Sequence, residues 1–536
     1  VRYADRHFDN EENMQIPGLH RFVVLTCAFF LLSSSGRAAT ITGTVRGPDG
    51  TPFRGAFVDA RNAKTRITVM VLSDSNGRYT VENLPAGDYQ VQARSMGYRS
   101  DPRSGILLTE TKTVNFDWSL QKQTLRWTDI PIVQWFHILP EANGKAQFIR
   151  FCGLSCHGGF QNMVGLSRDE NAWQHAVTEM RNRIAGGIIE RMTDDDAVVL
   201  SKYLGETFGA GPEALPKSPN DIPGFEMSPQ RFSDEALKIV YVMYEIPDGR
   251  VVWSANPDRD GNLWLPYFGA INGIGKLNPK TGELQEFMFP DQQRRTAVHS
   301  VFMAPDGLVW IAAEQTYGVS KFDPKTGKFT EYKTGTKGEV NTVRVDPKGI
   351  VWISGLPYSL RFDPKTEKFT ELKDIPNTYS VNLDPAGNPW FDATGGNGEL
   401  YRVGYKTGKV TKWIPPPATG SRRRIQIDPN GMVWNALYTE GKIIRLDPET
   451  GNFKTYDLPG EQPTPYPVGL DATHHVWYAS GIMDTVGRMD PDSGKVTEYP
   501  PPAFSNGMRE LNNDSQGRMW FASPGNNTVG YFYLTK

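Results

Sequence analysis

The sequence predicts a multidomain, mainly β protein: an N-terminal β-sandwich, a small α-helical domain and a C-terminal seven-bladed β-propeller. Three observations predict it. After residue 236 a glycine followed three residues later by tryptophan recurs at a fixed period. Residues 40–122 alternate apolar and polar side chains between closely spaced turn signals. Between these regions, residues 123–212 switch to apolar side chains at helical spacing.

The first segment, residues 1–39, reads as targeting sequence. Met14 is the expected start, and His20 and Arg21 precede the apolar run FVVLTCAFFLL. That run is too short to span a bilayer, and SSSGRAA after it offers cleavage near Ala38 or Ala39. Cys27 would leave with it; a lipobox at VLTC is the alternative. The mature protein is then expected in a periplasm or secreted, with no transmembrane span after signal removal. It keeps only Cys152 and Cys156.

A net charge of -2 with acids and bases nearly balanced argues against nucleic acid or anionic membrane as partner. A chain of 536 residues exceeds one ordinary core, so several domains are required.

In residues 40–122, ITGTVRGPDGTPFRGAFVDA and SDSNGRYTVENLPAGDYQVQARSMGY carry the strand alternation. Gly43-Thr44-Val45, Asp74-x-x-Gly77-x-Tyr79 and Leu84-Pro85-x-Gly87-x-Tyr89 resemble the carboxypeptidase regulatory-like β-sandwich. That resemblance implies a fold and an accessory role, not an activity.

In residues 123–212, Trp173, Val177, Met180 and Ile184 recur at helical spacing, and Asp194, Asp195 and Asp196 supply an acidic helix start. Ala197, Leu200, Tyr203 and Leu204 mark one face of a closing helix. Residues 213–235, on the proline and glycine content of GPEALPKSPNDIPGFEMSPQ, are expected to be a linker.

RFCGLSCHGG, residues 150–159, holds Cys152, Cys156 and His157. Two thiols and an adjacent imidazole are what covalent haem attachment requires, with one residue more than the usual C-x-x-C-H spacing. A disulfide is the competing reading, and zinc a poorer one. The surrounding segment resembles small class I c-type cytochrome domains over roughly 80 residues. The resemblance implies haem c, with His157 on the iron and Met180 opposite. Met192, His175 and Met163 are the other candidates for the second ligand. A redox partner protein would follow.

From residue 236 to 536 the anchors are Gly261, Gly307, Gly349, Gly387, Gly431 and Gly517, each three residues before a tryptophan. His474 stands at the anchor position of the unit that carries Trp477. Tryptophans spaced 38 to 46 residues apart, with hairpin turns such as DPKTG between them, predict propeller blades. The last unit lacks its outer strand, and KIVYVMYEIP ahead of the first can supply it, closing the ring.

Eight residues before each anchor lie Trp253, His299, Asn341, Tyr379, Arg423, Tyr466 and Arg509. This position falls near the start of each innermost strand, facing the central funnel. Large polar and aromatic side chains there predict a site for a small anionic or aromatic ligand. Arg422 and Arg424 flank Arg423, and a charge run of this kind usually lies on a solvated face.

The repeats resemble the streptogramin (virginiamycin B) lyase family, which opens a cyclic ester by metal-assisted elimination. The family pattern places histidines at the ring position of two successive blades and two glutamates nearby. His299 matches the first histidine and Glu339 the first glutamate; Asn341 replaces the second histidine, and Gly355 stands where the closing glutamate belongs. The primary expectation is therefore an exported haem protein coupling electron transfer to a ligand-binding propeller. The alternatives are a lyase-like enzyme using His299, Glu339 and Mg2+, or a non-enzymatic cell-surface binding protein.

Overall fold

The computed structural model describes residues 38–153, 163–164, 166, 168–184, 192–211, 214–228, 230–293, 296–314, 318–335, 337–394, 396–418, 422–504 and 507–535, with side chains omitted at 182–184. Residues 1–37 of the targeting segment, Cys156 and His157 lie outside these residues, whereas Ala39 opens the first sandwich strand.

Each propeller blade is built on the anchor turn. Gly261, Gly307, Gly349, Gly387, Gly431 and Gly517 take φ between 77 and 87°. Such a left-handed turn is open to glycine without a Cβ penalty. His474 occupies the same position at φ 65°. The turn lets an aspartate reach forward to the blade's tryptophan. Indole Nε1 of Trp352 donates to Asp346 at 2.9 Å, Trp477 to Asp471 at 2.8 Å and Trp520 to Asp514 at 2.7 Å. Trp264, Trp390 and Trp434 repeat the bond to Asp258, Asp384 and Asp428. The tryptophan is thereby fixed with its ring between blades, where it stacks on aromatic residues such as Phe287, Tyr332 and Trp413.

Among the described residues, six antiparallel four-stranded sheets follow one another around the ring. The seventh blade joins Leu511–Asn513, Met519–Ser523 and Thr528–Leu534 to Ile239–Glu245 from the start of the propeller. The expected closure is therefore the one that forms. Thr528–Leu534 and Ile239–Glu245 pair along their full length, from Thr528 opposite Glu245 to Leu534 opposite Ile239.

The sheet does not end there. Ile239–Glu245 pairs on its other side with Thr68–Leu72 of the sandwich, with Val242 opposite Val69. The closing blade and one sandwich sheet are thus a single ten-stranded sheet, and the blade's outer edge is covered rather than exposed. The sandwich core, including Ile41, Val58, Val81, Tyr89, Val91 and Trp118, takes in Val240 of the propeller strand. Within the sandwich, the Asp74 carboxylate accepts the Asn76 and Arg78 amides, while a Cβ at Gly77 would lie 2.5 Å from the Val45 carbonyl oxygen. The motif is therefore a tight hairpin that only glycine completes.

The expectation of a helical cytochrome-like domain over 123–212 is corrected. The described residues there form four short helices: α1 (Ile132–Ile138), α2 (Lys145–Gln147), α3 (Glu170–Ile184) and α4 (Asp194–Phe208). The acidic start of α4 forms as expected, with Thr193 and Asp196 in a reciprocal capping box. Trp173, Val177, Leu200, Tyr203 and Leu204 are buried as their spacing predicts. The first helix, however, also docks the segment onto the propeller. The helical core includes Ile482, whose carbonyl accepts the Val133 amide at 2.9 Å, and the Ile132 amide donates to Asp484. The chain is mainly β, and these helices form a layer docked on the sixth blade. Helical periodicity within a segment does not reveal that its partner surface lies some 350 residues away.

Candidate functional site

The ring residues are placed by a device repeated in five blades. The innermost strands break register between Val298 and Ser300, Val340 and Val343, Thr378 and Ser380, Arg423 and Ile425, and Pro465 and Val468. A bulge at this point bends the strand and re-aims a side chain, here toward the propeller axis.

Six of the seven ring side chains meet. Trp253 Nε1 donates to His299 Nε2 at 3.1 Å, and the Tyr379 hydroxyl lies 3.4 Å from the same nitrogen. The Tyr379 and Tyr466 hydroxyls are hydrogen-bonded to each other. The Arg423 guanidinium lies 4.7 Å from the Tyr379 ring centroid and 5.6 Å from that of Tyr466. That of Arg509 lies 4.2 Å from Tyr466 and 5.0 Å from Trp253. Asn341, the seventh, is fully buried, and neither polar atom of its side chain has a hydrogen-bond partner among the described residues.

Three residues off the ring position complete the site. Arg424 turns inward through the bulge at φ 50° and pairs with Glu510 at 2.8 Å. Tyr438 packs with Tyr379 and Tyr466 into an aromatic cluster. Arg422, Arg423 and Arg424 are all buried, so the run is not a solvated face. Arg422 points away, donating to the Gly398 and Pro417 carbonyls. Burial pushes its guanidinium down to about 10. The signal that marks Arg424 is the bulge, which cross-strand register sets and no local motif shows.

The electrostatics follow from this packing. Burial, then the Arg424 charge, holds His299 well below the usual imidazole range. Because indole N–H can only donate, Nε2 of His299 must accept, and the ring is neutral. Burial alone would raise the Tyr466 phenol, but Arg509, Arg423 and Arg424 outweigh it and bring it down; Tyr379, buried beside it, moves well up.

The lyase donor set does not assemble around a metal. His299 Nε2 is committed to Trp253, and Asn341 is neutral where a second imidazole is expected. Glu339 is half-buried beside Gly338, Leu356, Pro357 and Glu371, and burial raises its carboxyl. Among the described residues no three His, Cys, Asp or Glu side chains gather to hold an ion. The residues do not fit Mg2+.

In the helical layer, Cys152 is half-buried against a core that contains Met192 and contacts Met163. Met180 is half-buried on α3 and His175 is exposed. Cys156 and His157 lie outside the described residues. No helix among the described residues is long and apolar enough to cross a membrane.

Comparison with known proteins agrees with this architecture. The carboxypeptidase regulatory-like domain matches residues 40–121, and the virginiamycin B lyase family matches residues 363–535. No curated protein matches the chain. Among solved structures, a streptogramin B lyase superposes with a TM-score of 0.52 at 20% identity, over 56% of this chain and 100% of its own. Virginiamycin B lyase from Staphylococcus aureus gives 0.50 at 18% identity, over 55% of this chain and 100% of its own. A catalytically inactive form of that enzyme with quinupristin gives the same values. At this identity the likeness is one of fold. The propeller and the sandwich are supported in this way, and a cytochrome domain is not.

Proposed function

We propose that the protein captures a small anionic ligand in the central funnel of its propeller, as an exported binding protein rather than a lyase. The observation that carries this reading is the convergence of Arg423, Arg424 and Arg509 on a wall of Trp253, Tyr379, Tyr438 and Tyr466. Glu510 is the carboxylate in contact with the trio. Buried guanidiniums attract an anion more strongly than exposed ones, because low dielectric strengthens charge-assisted hydrogen bonds. The aromatic faces favour a flat or apolar body on that anion. Asn341 adds an unspent donor and acceptor for the ligand's polar groups. Against lyase chemistry stand the commitment of His299 and the missing second imidazole and glutamate, which leave proton abstraction by the family's route without its parts.

The test is a titration followed by tryptophan fluorescence, with benzoate and its neutral isostere benzamide as probes. Benzoate binds at least about tenfold more tightly if guanidiniums hold its charge. Equal affinity for the two overturns the reading.

Covalent haem on Cys152, Cys156 and His157 is a second, independent reading, without a cytochrome fold around it. Its support is the CGLSCH run and the position of Cys152 beside a core that holds Met192 and contacts Met163, whose thioethers suit haem iron. A haem there would let the helical layer exchange electrons with a partner protein. Expression with a c-type maturation system should give a Soret band that survives acid–acetone extraction. A colourless protein after that treatment removes this reading and leaves the funnel untouched.

A further inference from the structure

The hydrogen bonds at the funnel centre converge on one imidazole nitrogen and a pair of phenols. Trp253 Nε1–H can only donate, so it occupies the single lone pair of His299 Nε2. The Tyr379 hydroxyl, 3.4 Å from that same nitrogen, also shares a hydrogen bond with the Tyr466 hydroxyl. The Arg509 guanidinium lies over the Tyr466 ring, 4.2 Å from its centroid. Three guanidiniums stand against one carboxylate here, so the pair of phenols sits in a positive field.

The charges facing Tyr466 reinforce the point. From the fifth blade come Arg423 and Arg424, and from the seventh Arg509, with Glu510 already paired to Arg424. From the fourth blade comes the neutral phenol of Tyr379, and beyond it the neutral His299. Tyr438 lies edge-on at 5.6 Å between ring centroids. The propeller residues outside the described set include no aspartate or glutamate, so none of them adds a carboxylate.

We propose that Tyr466 stands as a phenolate at neutral pH, serving as the internal anion of the empty funnel and as its proton acceptor. When an anionic ligand takes over the guanidiniums, the Tyr466 oxygen loses their stabilisation and takes one proton from solvent. Ligand capture is then coupled to proton uptake. This coupling rests on the anion-binding reading, whereas the phenolate itself does not. Burial of a phenol normally suppresses its ionisation, and it is the surrounding guanidiniums that reverse the sign here.

The experiment begins with ligand-free protein. The near-ultraviolet difference spectrum of the native protein minus Tyr466→Phe is expected to show a tyrosinate band at neutral pH that vanishes on acidification. Carbon-13 labelling of the tyrosine ζ position tests the same point without a variant: one resonance should carry the phenolate shift. The control Tyr405→Phe, in an outer turn away from the funnel, keeps the band. If neither method finds an ionised tyrosine at neutral pH, the proposal fails. Calorimetry with benzoate in two buffers of different ionisation enthalpy then reads proton uptake, expected in the native protein and absent in Tyr466→Phe. An ionised Tyr466 with no benzoate binding would instead sink the anion-binding reading and leave the phenolate standing.

Discussion

Arg424 and Glu510 form an ion pair inside the funnel, 2.8 Å between guanidinium Nη1 and carboxylate oxygen, on side chains 4% and 7% exposed. Arg424 also donates to the Arg509 carbonyl and the Thr342 hydroxyl, so one side chain ties the third, fifth and seventh blades together. The ligand site and the closure of the ring therefore share a component.

Removing one partner of such a pair strands the other as an uncompensated buried charge. Arg424→Met is expected to cost about 3–5 kcal/mol of stability. Adding Glu510→Leu should recover most of it, because burying two apolar groups avoids that penalty. Urea unfolding of the two variants checks this, and an equal loss in both would show that the pair is not the source.

His299 gives a pH dependence with a definite sign. Its folded pKa is held well below the ordinary value of 6.5, first by burial and then by Arg424. The unfolded chain therefore binds the extra proton. The stability this group contributes is complete above the unfolded pKa and is lost as pH falls below it. Thermal melts of the native protein are expected to drop below that pH more steeply than those of His299→Gln, which retains an acceptor for Trp253.

At the sixth anchor, His474 holds φ 65° where the other blades place glycine. A left-handed residue with a Cβ costs roughly 1 kcal/mol. His474→Gly should raise stability by about that amount, and His474→Val should lower it. The reverse order would mean that the side chain makes a compensating contact.

Arg509 lies against both Trp253 and Tyr466. Replacing it by methionine keeps the bulk and removes the charge. Benzoate affinity is expected to fall about tenfold or more, the scale of a charge-assisted hydrogen bond. Arg422→Met, whose guanidinium points away toward Gly398 and Pro417, should bind as the native protein does.

Much of this architecture was legible because the propeller states each blade separately. The glycine-to-tryptophan interval marks the turn whose aspartate holds the indole, and counting back eight residues reaches the central cluster from six of the seven blades. The degenerate unit was readable too, since His474 keeps the left-handed turn despite its side chain. What stayed hidden depends on contacts between distant residues. Arg424 enters the site through a bulge set by the register of Arg423 and Ile425 against the neighbouring strand. Tyr438 stands off the ring position and joins the cluster through a loop. The helical layer misled because α1 bonds to Ile482 and Asp484 of the propeller, so helical spacing suggested a separate domain where there is a docked one. The pairing of Val69 with Val242 was equally invisible, since strand alternation shows which face is buried but not what lies along the edge.

The central claim is that the funnel is an anion site. Crystals soaked in bromide test it independently of the natural ligand. Anomalous scattering is predicted to place a bromide between the guanidiniums of Arg423, Arg424 and Arg509, lost in Arg509→Met. Bromide found only at surface lysines and arginines, with the funnel empty of it, would contradict the account.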